Sequence, residues 1–107
     1  MHAVTPARER QAEENWMRVL RALADPTRYR MVVELAAAEE LSCGQIGERF
    51  PLAQPTISHH IKILTDAGLL HVRRQGQHSF ISLRREVLQQ ALAGVGRQLS
   101  MHFDQQA

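Results

Sequence analysis

The stretch Gln54-Pro55-Thr56-Ile57-Ser58-His59-His60-Ile61-Lys62-Ile63-Leu64-Thr65-Asp66-Ala67-Gly68 decides how this chain is read. At 100° per residue, Ile57, His60, Ile61 and Leu64 gather on one side of a helix, and Pro55, Ser58, His59, Lys62 and Asp66 gather on the other. A helix is therefore expected over residues 56–66, opened by Pro55 and closed by Ala67-Gly68, with glycine in the left-handed position after the cap. Its outer face is made of side chains that hydrogen-bond rather than pack. Immediately afterwards the period changes from 3.6 to 2. Leu70 and Val72 alternate with His71 and Arg73, Gln75-Gly76-Gln77 forms a turn, and Phe80-Ile81-Ser82-Leu83 returns, the pattern of a two-stranded β-hairpin.

Upstream, Ser42-Cys43-Gly44-Gln45 is a capping box, Ser42 reaching forward and Gln45 reaching back, and Ile46 with Phe50 continues an apolar face. A short helix over 43–50 is expected, broken by Pro51. Two short helices with a tight connection, the second outwardly polar and followed by a basic hairpin, form a helix-turn-helix with a wing. A helix fits the DNA major groove, where Ser, Gln and His side chains exchange hydrogen bonds with base edges. Arg and Lys on flanking elements meet phosphates and fix register. Lys62, Arg73 and Arg74 suit that second role, and a glycine-tipped hairpin can lean toward the adjacent minor groove.

The remaining elements are helical. Trp16, Val19, Leu20 and Leu23 recur at i, i+3, i+4, i+7 and predict a helix over 8–23. Asp25-Pro26 stops it and caps the next, expected over 28–38 and buried, since Tyr29, Met31, Val32, Val33 and Leu35 are nearly all apolar. Residues 84–105 carry Leu88, Leu92, Val95 and Leu99 at i, i+4, i+7, i+11. That stripe exceeds what a small core needs, which suggests pairing with a second copy.

Charge supports a polyanionic partner. Residues 1–48 hold six Arg against eight acids. Residues 49–85 hold six cations against Asp66 alone, together with His59, His60, His71 and His78. The overall net charge of +2 hides this segregation. At 107 residues the chain is one domain, with residues 1–8 expected to be flexible. Its apolar content of 44% and mean hydropathy of −0.30 are ordinary for globular proteins, and no apolar run approaches the length of a membrane span. The first residues carry charge and no apolar core of a secretory signal, so a cytoplasmic address is expected, without membrane partners. No nucleophile paired with a base, glycine-rich phosphate loop or carboxylate cluster occurs, so no catalytic residues are assigned and the protein reads as a non-enzyme.

Taken in order, Ala24-Asp25-Pro26-Thr27-Arg28-Tyr29-Arg30, Leu41-Ser42-Cys43-Gly44-Gln45-Ile46, the stretch from Gln54 to Leu64, Ala67-Gly68-Leu69 and Arg73-Arg74-Gln75-Gly76 closely resemble the signatures of the ArsR/SmtB family of winged-helix repressors. The likeness runs from residue 16 to 99. It implies a mainly α winged helix-turn-helix with a two-stranded wing. It also implies a homodimer built by the first and last helices, and release from an inverted-repeat operator when an effector binds. In the family, the residues matching Gln54, Thr56, Ser58 and His59 face the bases. Lys62, Arg73, Arg74, Gln75 and Gly76 then fall to phosphate and wing contacts, and Trp16, Val19, Leu88, Leu92, Val95 and Leu99 to the dimer interface. One departure is Ala53, where relatives carry a capping Ser or Thr, leaving Gln54 to take over the cap. An alternative reading is a winged helix that has become a protein-interaction module without operator specificity.

Cofactors and metals are not expected. Where the family's soft-metal sensors carry Cys-x-Cys at the third helix, this chain has Ser42 and Gly44, with Cys43 between them. The last helix lacks the spaced ligand pairs of the zinc and nickel sensors, offering only Glu86, His102 and Asp104. A site joining His2, His102 and Asp104 across the chain ends is improbable at flexible termini. Cys43, at the first turn of a helix, is a candidate redox sensor, though a small buried hydrophobe is its commoner role. His60, at the edge of the apolar stripe, reads as a hydrogen-bonded structural histidine. The effector stays unassigned.

Overall fold

The computed structural model describes residues 6–106, with side chains described through Met101. Five helices and three short strands follow one another as α1 (Pro6–Leu23), α2 (Pro26–Ala36), β1 (Leu41–Ser42), α3 (Cys43–Arg49), α4 (Gln54–Asp66), β2 (Leu70–Gln75), β3 (His78–Leu83) and α5 (Arg85–Gln106). The expected flexible segment 1–8 falls mostly outside the described residues, and Pro6 to Arg8 already belong to α1. The sites considered at His2, His102 and Asp104 likewise lie outside the described side chains.

Local chemistry explains most boundaries. Asp25 caps α2, its Oδ2 accepting from the Arg28 N–H at 3.0 Å, and Pro26 stands in the first turn where its missing donor costs nothing. This hydrogen bond holds the Asp25 carboxyl below the usual carboxylate range. α2 therefore begins two residues before its expected start and ends two residues earlier. The capping box of α3 is complete: the Gln45 N–H donates to Ser42 Oγ at 3.1 Å, and the Ser42 N–H donates to Gln45 Oε1 at 2.8 Å. α4 ends in a Schellman arrangement, with Leu69 N–H donating to Leu64 carbonyl and Gly68 N–H to Thr65 carbonyl. Gly68 takes φ +86°, which a side chain would strain, and the flanking Leu64 and Leu69 are fully buried.

The sheet departs from the expected hairpin. β1 adds a third strand, giving the antiparallel order β1-β3-β2, with Leu41 opposite Ile81 and Ser42 opposite Phe80. A two-residue strand carries no periodicity, so the alternation that revealed β2 and β3 could not reveal it. Gly76 and Gln77 connect β2 to β3. Gly76 has φ +61° and Gln77 does not have positive φ, as a type II′ turn requires.

The core joins Val19 and Ala22 of α1, Met31, Val32 and Leu35 of α2, Leu41 of β1, Ile46 of α3, Ile57 and Leu64 of α4, Leu69 before β2, Leu70 of β2, Ile81 of β3, and Ala91 of α5. One expectation is corrected here. Val19, which the family resemblance places at the dimer interface, is 2% exposed and belongs to the chain's own core. Helical spacing reports an apolar face without saying what covers it. Against α5, Trp16 packs so closely that a Cβ built on Gly94 would lie 2.2 Å from its ring, so that position has room only for glycine. Gln98 Nε2 adds a 2.7 Å hydrogen bond to Glu13 Oε1 across the same pair of helices. Leu92 and Leu99, by contrast, remain half exposed on α5.

Candidate nucleic-acid interface

α4 stands at the surface with one flank sunk into the core. Ile57 and Leu64 are fully buried, His60 and Ile61 half-buried, and Gln54, Pro55, Thr56, Ser58, His59, Lys62 and Asp66 exposed. Helical angles place Gln54, Ser58, Lys62, Pro55, Asp66 and His59 in one continuous arc. Thr56 lies about 60° beyond His59, at the edge of that arc. The helix opens without a side-chain cap, since Ala53 has no oxygen to offer and Gln54 does not replace it. Instead the Gln54 side-chain oxygen Oε1 lies against α3, where a Cβ placed on Gly47 would meet it at 3.6 Å. The expected transfer of the cap to Gln54 is thus corrected. A first-turn residue points its side chain away from the free N–H groups that a cap must reach.

The two adjacent histidines part company as their 100° separation requires. His59 faces outward. The Nδ1 atom of His60 lies 3.4 Å from Arg28 Nη1, and Arg28 Nε donates to the Ala22 carbonyl at 2.7 Å. Arg28 therefore ties the end of α1, the cap of α2 and the flank of α4 together. His60 is accordingly a structural residue of α4, placed against Arg28 of α2.

The cations concentrated in residues 49–85 are not equally available. Arg49 pairs with Glu34 at 3.6 Å, and Lys62 with Asp66 at 3.0 Å on the exposed side of α4. Arg85 donates to the carbonyls of Ala36 and Ala38, satisfying the end of α2, and Arg84 lies 3.5 Å from His71. Arg73 is held most firmly. Nε and Nη2 donate to the two carboxylate oxygens of Glu40 at 3.3 and 2.8 Å, Nη1 donates to Gln75 Oε1 at 2.7 Å, and the guanidinium sits 4.5 Å above the Phe80 ring. The hydrogen bonds from Arg73 hold the Glu40 carboxyl below its usual range, and the Glu40 carboxylate in turn raises Arg73 above its own. Arg74, exposed on the neighbouring position, is the cation of this stretch without a partner among the described residues. Sequence reasoning missed Glu40 entirely, because its partner stands 33 residues away and no local pattern links them.

Cys43 is a free thiol, half-buried and packed against the core. Among the described residues no three His, Cys, Asp or Glu side chains converge as a metal site requires. No described helix is long and apolar enough to cross a membrane.

A helix pair whose second member presents an unbroken polar face, beside a hairpin carrying a free cation, defines a winged helix-turn-helix protein of the DNA-binding class. Residues 17–73 match the model of a helix-turn-helix domain. Over 74 residues the chain is 38% identical to the transcriptional repressor SdpR of Bacillus subtilis, covering 69% of this chain and 81% of that one. A solved ArsR-family transcriptional regulator superposes with a TM-score of 0.73 at 25% identity, covering 82% of this chain and 90% of its own. The homodimeric winged helix-turn-helix domain from Mycobacterium bovis, solved in solution, shares the fold with a TM-score of 0.70 at 24% identity, covering 92% of this chain and 91% of that one. The chain belongs to the ArsR/SmtB family of winged helix-turn-helix regulators, a family of transcriptional regulators rather than enzymes.

Proposed function

We propose that the protein is a cytoplasmic transcriptional repressor that binds an inverted-repeat operator as a homodimer. The observation that carries this reading is α4, which buries Ile57 and Leu64 completely while leaving Gln54, Thr56, Ser58, His59 and Lys62 all exposed. Among the described residues no other element covers Ser58 or His59. Ser58 and His59 lie within the exposed arc and read base edges, with Gln54 at the opening of the helix and Thr56 at its margin. Lys62 can exchange Asp66 for a phosphate at little cost, since an exposed pair of this kind contributes only ~0.2 to 1 kcal/mol. Arg74 meets phosphate from the wing, with Gln75 and Gly76 approaching the backbone beside it.

The same reading assigns the dimer to Trp16, Leu88, Leu92, Val95 and Leu99. Leu92 and Leu99 are half exposed on α5, a combination that a second copy would bury, and the Mycobacterium bovis neighbour is described as homodimeric. Twofold pairing would present two recognition helices about one DNA turn apart, or a multiple of it, and so select a palindromic site. For the signal, soft-metal thiolate sensing needs convergent sulfur ligands, and this chain supplies Cys43 alone. Arsenite, cadmium and zinc are expected to leave operator affinity unchanged.

Selection of binding sites from genomic fragments, followed by affinity measurement on the selected duplex and on random DNA, tests the reading. Ser58→Ala and His59→Ala should each cost about 1 to 3 kcal/mol on the selected site and much less on random DNA. An unmodified protein that binds every duplex equally would favour a protein-interaction module and reject the proposal.

A further inference from the structure

The wing is a marginal structure by construction. β1 reaches only to Ser42, opposite Phe80, so residues 74–79 form a hairpin of two strands with no third to support them. Two-stranded hairpins have little stability of their own, and an element that must be ordered on binding subtracts from affinity. Where the third strand ends, Arg73, Phe80 and Ser42 lie in one row across β2, β3 and β1, and alternation puts Glu40 on the same face. From this row Arg73 crosses diagonally over the Phe80 ring to take both oxygens of Glu40, while its remaining edge binds Gln75. Both edges and one face of the guanidinium are thereby used, the geometry in which arginine is hardest to replace.

We propose that Glu40 is a positioning residue for DNA binding. It holds Arg73 as a strap that fixes the wing to β1, so that Arg74, and not Arg73, is the wing's phosphate contact. The inference rests on the DNA-binding reading above and adds to it a residue from outside the basic stretch. To give Arg73 to a phosphate, the chain would have to abandon a bidentate pair and leave the Glu40 carboxylate facing the DNA backbone. Arg74 points to the opposite face of the strand from Arg73 and has no such commitment among the described residues.

The sign of one substitution decides the matter. If Glu40 were merely an acid beside the DNA, Glu40→Gln would tighten binding and steepen its salt dependence, because Arg73 would be released to phosphate. As a strap, Glu40→Gln instead weakens binding to the selected operator by about three- to fivefold with the salt slope unchanged. Arg74→Ala makes that slope shallower by about one. Combining Glu40→Gln with Arg73→Ala then costs no more than Arg73→Ala alone. Hydrogen exchange on the full DNA-free chain supplies a second readout. Amides of residues 74–79 should exchange faster in Glu40→Gln while those of Ile57 and Leu64 keep their protection. Equal or tighter operator binding by Glu40→Gln, or loss of protection throughout the chain, overturns the strap. Absence of any sequence preference in the unmodified protein sinks the DNA-binding reading instead, and the exchange measurement still judges the strap by itself.

Discussion

The side of the molecule built from α4 and the hairpin contrasts with the side built from α1 and α5. On the first, the exposed side chains other than Pro55 are polar, and apolar ones are sunk to complete burial at Ile57 and Leu64. On the second, Trp16 and Gly94 close one seam tightly, yet Met17, Leu92, Leu99 and Met101 stay between 43% and 63% exposed. A polar face in water is satisfied and can wait for DNA indefinitely. An apolar face is an unmet driving force, worth roughly 25 cal/mol for each Å² a partner would cover. On the proposed reading, the first surface binds reversibly and the second is covered by a second copy.

Leu92→Arg attacks the second side where the contrast is sharpest. A charge placed at the centre of a symmetric apolar contact, twice per dimer, should cost about 3 to 5 kcal/mol or more and leave monomers at micromolar concentration. Sedimentation would measure it, and an unmodified protein that already sediments as one subunit would remove the contrast altogether. Gly94→Ala probes the closed seam of the same side. The added methyl meets the Trp16 ring with no space to spare, so about 1 to 3 kcal/mol of stability should be lost in thermal or denaturant unfolding, with a matching shift in Trp16 fluorescence. A neutral result would mean that α1 and α5 slide easily, and that their seam is as open as the exposed stripe.

On the DNA side the effects should be smaller. Arg74→Ala is expected to weaken selected and random DNA alike and to reduce the salt slope by about one, against little change in slope for Ser58→Ala. Acid should then act on the strap in a defined direction. Arg73 lowers the Glu40 carboxyl in the folded chain, so the pair contributes stability above the unfolded value of ~4.3 and loses it as pH falls through the lowered one. The Arg73 Nε chemical shift should therefore hold steady from neutral to mildly acidic pH and move only below the ordinary glutamate range. A titration step already near neutrality would show the pair to be too loose to organise the wing.

Much of this arrangement was legible locally. Asp25-Pro26, the Ser42 to Gln45 box, Gly68 and Gly76 each announced a boundary through hydrogen bonds or dihedral needs spanning five residues or fewer, although α2 begins at Pro26 itself, two residues before its expected start. The polar arc of α4 was legible for the same reason, since a fixed angle per residue turns spacing into direction. The separate roles of His59 and His60 followed from that angle alone.

The sequence by itself determined the kinds of element, their order, the face that α4 turns to solvent and the family these signatures belong to. Only the tertiary structure decided which charges are free. Six cations against one acid in residues 49–85 suggested a uniformly basic surface, but Glu34 and Glu40 come across from the acidic half of the chain, and Arg85 is spent on the end of α2. The same holds for Val19, whose cover is other parts of its own chain, and for β1, too short to show a period. The partners involved stand 33, 49 and 85 residues apart, at Glu40–Arg73, Ala36–Arg85 and Glu13–Gln98. Helical and strand periodicity carries information over a few residues, whereas Coulomb attraction and packing act on whatever the folded backbone brings within a few ångströms, however distant in sequence.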